Sequence, residues 1–201
     1  MTDAPTAAMP VPTAGNATPA PSAAAEAQAE QLVTQIQPSA HSEERRATII
    51  AYVHTIIERC FAACKVRKRT PFGYLIQHAS FCQVLAFAFG SVPLKTYLPD
   101  GDIDLSLFQA AGPSVQATWT ERLAAALETE AAHKRGPYRV CDVQVINAEV
   151  NLVKCLVDDT VVDISLQTLG GLCTVLFLES IDQHIQSDHL FKRSIILVRG
   201  S

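Results

Sequence analysis

The chain has no excess of positive charge, no C-x-x-C pair, no long apolar run and, ahead of Arg45, neither lysine nor arginine. Each absence excludes something. A net charge of −4 argues against binding nucleic acid by bulk charge, although a local basic patch is compatible with an acidic total. The six cysteines (Cys60, Cys64, Cys82, Cys141, Cys155, Cys173) have no zinc-ligand spacing and no histidine placed to complete one. Most lie in apolar runs such as "VKCLV" and "GLCTVLFL", so they read as reduced core residues rather than disulfides. No stretch of ~20 uninterrupted apolar residues is present to cross a bilayer. The N-terminus lacks the charged start and apolar run of a secretory signal and the arginines of a transit peptide. The cytoplasm or the nucleus is the expected compartment.

What is there is enough for one domain with a core: 201 residues, of which 48% are apolar. Residues 1–41 are set apart as an Ala/Pro-rich tail. Six of the eleven prolines fall within residues 1–38, and few large side chains there would repay ordering. A short helix is expected within it, over "AEAQAEQLVTQIQ". The folded part is expected over 42–201. Ser42 reads as the N-cap of a helix, with Ile49, Ile50, Val53, Ile56, Ile57 and Cys60 at helical spacing on one face. A basic run follows (Lys65, Arg67, Lys68, Arg69), read as a solvated helix end rather than a phosphate-binding patch.

Beyond it, "CQVLAFAFG" reads as a buried strand ending at Gly90. "VPLKTYL" reads as a short helix with Ser91 as N-cap and Pro93 in the first turn. Asp100-Gly101 makes a turn, and "DIDLSLF" alternates: Ile103, Leu105 and Leu107 share one face, Asp102, Asp104 and Ser106 the other. An amphipathic helix over "SVQATWTERLAAALETEAA" and two β segments follow. The second segment folds back at Asp158-Asp159, placing Val161, Asp163 and Ser165 on one face. Gly170-Gly171 breaks the pattern. Two helices close the chain, the last capped by Ser187 or Asp188. The mixture, without a strict βαβ rhythm, predicts an α+β fold built on a mixed β-sheet flanked by helices.

The chemistry lies in the aspartates. Asp102 and Asp104, two apart on one strand, point the same way, an arrangement unusual for a residue depleted in strands. Asp163 repeats the geometry on another strand. If the strands are neighbours, three carboxylates converge. Hard cations such as Mg²⁺ take such oxygen ligands and share them with phosphates, and paired ions activate the attacking oxygen and stabilise the leaving one. A calcium loop is excluded, because the required Gly and Glu positions hold Leu105 and Ala111. Gly90-Ser91, some ten residues ahead of the pair, ends a strand and opens a helix, a place where a phosphate can approach the backbone. Lys95 and Lys154 are possible phosphate contacts but are left outside the candidate site. Trp119 and Tyr97 are assigned to the core, and His54, His184 and His189 are given no role.

Taken together, "FGS", "GDIDL" and "VVDIS" resemble the nucleotidyltransferase signature of the polymerase-β superfamily. The longer stretches "FGSVPLKTYLPDGDIDL" and "VVDISLQTLGGLCTVLFLE…DHLFKRSIILV" resemble the plant and algal poly(A) polymerase / oligoadenylate-synthetase-like group. The resemblance implies that Asp102, Asp104 and Asp163 are catalytic and bind Mg²⁺ or Mn²⁺, two ions in all, and that Gly90 and Ser91 bind the triphosphate. The implied reaction moves a nucleoside monophosphate from an NTP to a hydroxyl, typically an RNA 3′ end. NTP and an RNA acceptor are the implied partners, and no membrane is.

Two departures from the pattern stand out. Residues 62–81 read as an insertion, a surface loop or a translated intron, since lifting them out leaves "RCFCQV". The family also continues past "SIILV" into a helical domain, whereas this chain ends at Arg199-Gly200-Ser201. The expectation is a catalytic half that binds Mg²⁺-NTP weakly and is poorly active or inactive. The alternative is a catalytically inactive fragment that binds RNA or a protein.

Overall fold

The structure, a computed structural model, describes residues 22–61, 65–69, 75–79, 83–111, 116–133 and 136–200. Its centre is a five-stranded sheet in the order β3-β4-β7-β6-β5, made of β3 Gln83–Phe89, β4 Ile103–Ala111, β5 Val140–Ile146, β6 Leu152–Val157 and β7 Thr160–Leu166. The β4–β7 pair is parallel and the other three pairs are antiparallel, so the sheet is mixed and the class is α+β, as the sequence pattern predicts.

Alternation decides what each face carries. Ile103, Leu105 and Leu107 of β4, Val162 and Ile164 of β7, and Val153 and Cys155 of β6 are fully buried. They meet the apolar stripes of α2 Ala40–Phe61 and α4 Trp119–His133, chiefly Ile49, Val53, Ile56, Ile57, Leu123 and Leu127, in one continuous core. Burying a side chain of this kind contributes about 1.5–3 kcal/mol. Trp119 and Tyr97 are buried as expected. The hairpin between β6 and β7 turns at Asp158, whose φ is +51°. Asp158 donates its N–H to the Arg139 carbonyl at 2.7 Å and accepts the Arg139 N–H on Oδ1 at 2.9 Å, which ties the hairpin to the approach of β5.

The short helix expected within 25–37 is α1 Ala23–Ile36, which packs on α6 Leu190–Gly200. The part of the tail ahead of it lies outside the described residues. Five local readings need correction. The cap of α2 is Ser39, not Ser42: the Ser42 N–H donates to Ser39 Oγ at 3.2 Å, and Ser42 sits inside the first turn. The basic run is not a helix end but strand β1 Lys65–Arg69, paired antiparallel with β2 Leu75–Ala79 in a separate two-stranded sheet. The strand β3 is an edge strand, with Leu85 and Phe87 exposed at 41% and 45%. Its apolar residues on both faces resemble a buried strand in sequence, and only sheet order tells the two apart.

The glycine pair 170–171 does not end a pattern but lies inside α5 Leu169–Ile185. A Cβ on Gly171 would come within 2.5 Å of the Phe89 ring, so glycine there lets α5 approach β3. Finally, neither Ser187 nor Asp188 caps α6. Asp182, on α5, reaches across to accept the Lys192 N–H at 3.4 Å and lies 2.6 Å from His189 Nδ1, giving His189 a partner that the sequence does not reveal. The four described cysteines are free, and Cys155 is buried in the core, but Cys173 is exposed on α5.

Candidate active site

Strands β4 and β7 run side by side in parallel with Asp104 opposite Asp163. Residues paired across a ladder face the same way, so the two carboxylates meet on the sheet face turned away from the core. Asp102 joins them from the residue before β4. Asp102, Asp104 and Asp163 each offer an oxygen within 4.8 Å of the others. The convergence that the sequence left conditional on strand order is therefore present.

The same face continues into a buried polar network. Two positions along, Ser106 and Ser165 are again opposite each other. Ser106 Oγ accepts the Thr168 N–H at 2.8 Å, and Ser165 Oγ donates to the Leu105 carbonyl at 3.2 Å. These bonds fix β4, β7 and the start of α5 to one another, which holds the aspartates on a rigid support.

Electrostatics at the cluster are strained. Asp104 has its pKa raised to about 6, first by burial, then by the negative charges of Asp102 and Asp163, with Arg199 and Lys154 partly offsetting them. Lys154, opposite Asp163 on β6, places Nζ 3.1 Å from Asp163 Oδ2. The other oxygen, Asp163 Oδ1, is buried with no hydrogen-bond partner among the described residues. An unpaired buried carboxylate oxygen costs free energy unless something satisfies it. An all-oxygen donor set, crowded negative charge and one orphaned oxygen together fit a hard divalent cation held by Asp102, Asp104 and Asp163.

Beside the cluster lies Gly90. Its backbone has φ +73° and ψ −141° and forms the N-cap of α3 Ser91–Leu94. A Cβ there would come within 2.5 Å of Asp104 Oδ2, so conformation and space both require glycine. Gly90, not Ser91, thus holds the cap position. Ser91 is the first helical residue, buried at 8% exposure, and its hydroxyl finds no partner among the described residues.

Two cavities flank the cluster and share Arg199. One, of about 310 Å³, is lined by Gly90, Ser91, Thr96, Gly171 and Thr174 among others. The second, of about 410 Å³, is lined by Gly101, Asp102, Lys154 and Val161 among others. A larger cavity of about 740 Å³ lies between the end of α4 and β5 and contains none of the three aspartates. Its Glu130 is already committed to Tyr52 and Arg59. Volume is a poor guide here, and the chemistry lies with the smaller pair.

Lys95 is held in a surface ion pair with Glu43 at 2.8 Å and does not line either flanking cavity. Two cations left out of the sequence-derived site do line them. Alternation with Val153 was a signal for Lys154. No local pattern marks Arg199, which reaches the site from the last turn of α6, its Nη1 3.5 Å from the Thr96 carbonyl.

No family model matches the chain, and no curated protein matches its sequence. Solved structures do match its shape. A cytoplasmic RNA terminal U-transferase superposes with a TM-score of 0.59 at 16% identity, over 86% of this chain and 42% of its own. The Cid1 poly(U) polymerase bound to magnesium and 3′-dATP gives 0.63 at 16% identity, over 88% and 46%. GLD-2, in its complex with RNP-8, gives 0.53 at 13% identity, over 73% and 48%. This chain spans less than half the length of each of these neighbours. Its mixed sheet, with helices packed against it, has the nucleotidyltransferase fold of these neighbours.

Proposed function

We propose that the chain is the catalytic part of a metal-dependent nucleotidyltransferase of the poly(A) polymerase-like kind, acting on an RNA 3′ end. The observation that carries this reading is the gathering of Asp102, Asp104 and Asp163 within 4.8 Å of one another, directly against the glycine turn at Gly90. The three aspartates would hold Mg²⁺ or Mn²⁺, two ions being the expected number. Bound there, such ions neutralise the carboxylates together with the phosphate oxygens and lower the pKa of the attacking hydroxyl.

The chain's own residues then have separable tasks. Gly90 leaves room for a triphosphate beside Asp104, and the unpartnered Ser91 hydroxyl donates to it. Lys154 and Arg199 place positive charge on either side of the phosphates. Asp163, whose Oδ1 has no other partner among the described residues, orients the acceptor hydroxyl. That hydroxyl oxygen attacks the α-phosphorus, the bond from the α-phosphorus to the bridging oxygen breaks, pyrophosphate leaves, and the hydroxyl proton passes to solvent. We place this activity in the cytoplasm or the nucleus. No helix among the described residues is long and apolar enough to cross a membrane.

The test is primer extension with each of the four NTPs in Mg²⁺ and in Mn²⁺, beside an Asp102→Ala, Asp104→Ala control. Addition by the wild type and none by the control supports the reading. RNA retention with no addition under any condition refutes catalysis and leaves a binding module.

A further inference from the structure

The three aspartates are not held equally. Asp104 and Asp163 lie within the paired register of β4 and β7, and Asp104 is also paired with Phe89 of β3. Asp102 precedes the first paired residue, Ile103, so the ladder does not fix it. We propose that Arg46, on α2, is the positioning residue for Asp102; this rests on the carboxylate cluster being a divalent-ion site.

Arg46 is buried, at 5% exposure. Its Nη2 donates to the Gly101 carbonyl at 2.7 Å and lies 3.4 Å from the carbonyls of Leu98 and Pro99. The guanidinium stacks on Tyr97, 4.2 Å from the ring centroid. The Gly101 carbonyl and the Asp102 nitrogen belong to one planar peptide unit. Holding the oxygen therefore holds the plane from which the Asp102 side chain departs. The loop has little slack of its own. The Gly101 N–H closes a turn on the Leu98 carbonyl at 2.8 Å, and a Cβ at Gly101 would stand 3.0 Å from both the Leu98 oxygen and Tyr97 Cβ.

Burying a guanidinium without a carboxylate partner is expensive, and Arg46 makes no ion pair among the described residues. Its Nε is also unpartnered there. An apolar residue would fill this face of α2 at lower cost. The groups that Arg46 does engage are the carbonyls leading into Asp102, and this is the function the geometry assigns to it. Arg46 reaches Asp102 through the carbonyls that precede it and forms no ion pair with it among the described residues, so its effect is geometric. A partner that orients a metal ligand typically governs affinity by ten- to a hundredfold.

The test uses the full chain as wild type, Arg46→Lys and Arg46→Met. Mn²⁺ is titrated at a temperature well below each melting transition, with circular dichroism to verify folding. Amide exchange at 98–104 is followed without metal. The expected result is a graded loss, roughly tenfold in Mn²⁺ affinity for Arg46→Met and roughly threefold for Arg46→Lys, with faster exchange at Gly101 in both. Variants that melt earlier but keep wild-type Mn²⁺ affinity and exchange overturn the inference and leave Arg46 a purely structural residue. If Arg46→Met does not fold, unchanged affinity in Arg46→Lys has the same force. A wild type that binds no Mn²⁺ removes the metal-site reading itself, and this inference with it, which is a distinct outcome.

Discussion

Replacing Asp104 with asparagine separates the charge of the cluster from its shape. In the folded chain the carboxyl has a pKa of about 6, against an ordinary 3.8. A raised value means that the folded state binds more protons than the unfolded state between these limits, so stability falls as pH rises through that window. Below the lower limit no penalty applies, and above about pH 6 all of it does. Two pK units correspond to ~3 kcal/mol at most. Asp104 is only half-buried, and solvent screening reduces this to ~1–2 kcal/mol. Asparagine keeps the size and removes the charge. At pH 7.5 without divalent ions, Asp104→Asn is expected to melt ~2–8 °C above wild type, for a chain of this length.

With Mg²⁺ at ten times its dissociation constant the wild type gains ~1.4 kcal/mol, whereas the variant, with one of its three anionic ligands made neutral, gains little. The order of melting temperatures then narrows or reverses. Differential scanning calorimetry at pH 4 and 7.5, with and without Mg²⁺, reads all four conditions. A variant that melts at or below wild type without ions at pH 7.5, and keeps the full Mg²⁺ response, would refute both the electrostatic argument and the assignment of Asp104 as a ligand.

Gly90→Ala should lose ~1–3 kcal/mol, read by urea denaturation, because a methyl group at positive φ also collides with Asp104 Oδ2. The same variant should weaken Mn²⁺ binding, read by titration of the folded protein. Ser106→Ala deletes the acceptor for the Thr168 N–H in a fully buried position, so ~1–3 kcal/mol of stability should be lost. Wild-type stability in that variant would mean that water or a shifted loop replaces the hydroxyl.

Much of the fold is legible in the sequence because alternation and turn chemistry are local. The alternation of Ile103, Leu105 and Leu107 with Asp102, Asp104 and Ser106 needs no partner strand to assign its two faces. Asp158-Asp159 between two apolar runs marks the hairpin in the same way. Legibility fails where an answer depends on a neighbour distant in the chain. Leu85 and Phe87 are apolar whether β3 is central or at the edge. Ser39 and Ser42 are equivalent as caps until one hydroxyl meets an open N–H. The carboxylate of Asp182 caps a helix other than its own, which periodicity does not signal.

By itself the sequence determined that the chain carries acidic residues on the polar faces of two apolar strands, and a glycine where a helix follows a strand. Side-chain period and backbone sterics are properties of a few adjacent residues. Only the tertiary structure decided that β4 and β7 are neighbours in register, and that Lys154 and Arg199 reach the carboxylate cluster from two separate elements. Those charges act through distance in space. Spacing along the chain does not encode that distance until the core formed by α2, α4 and the sheet has closed.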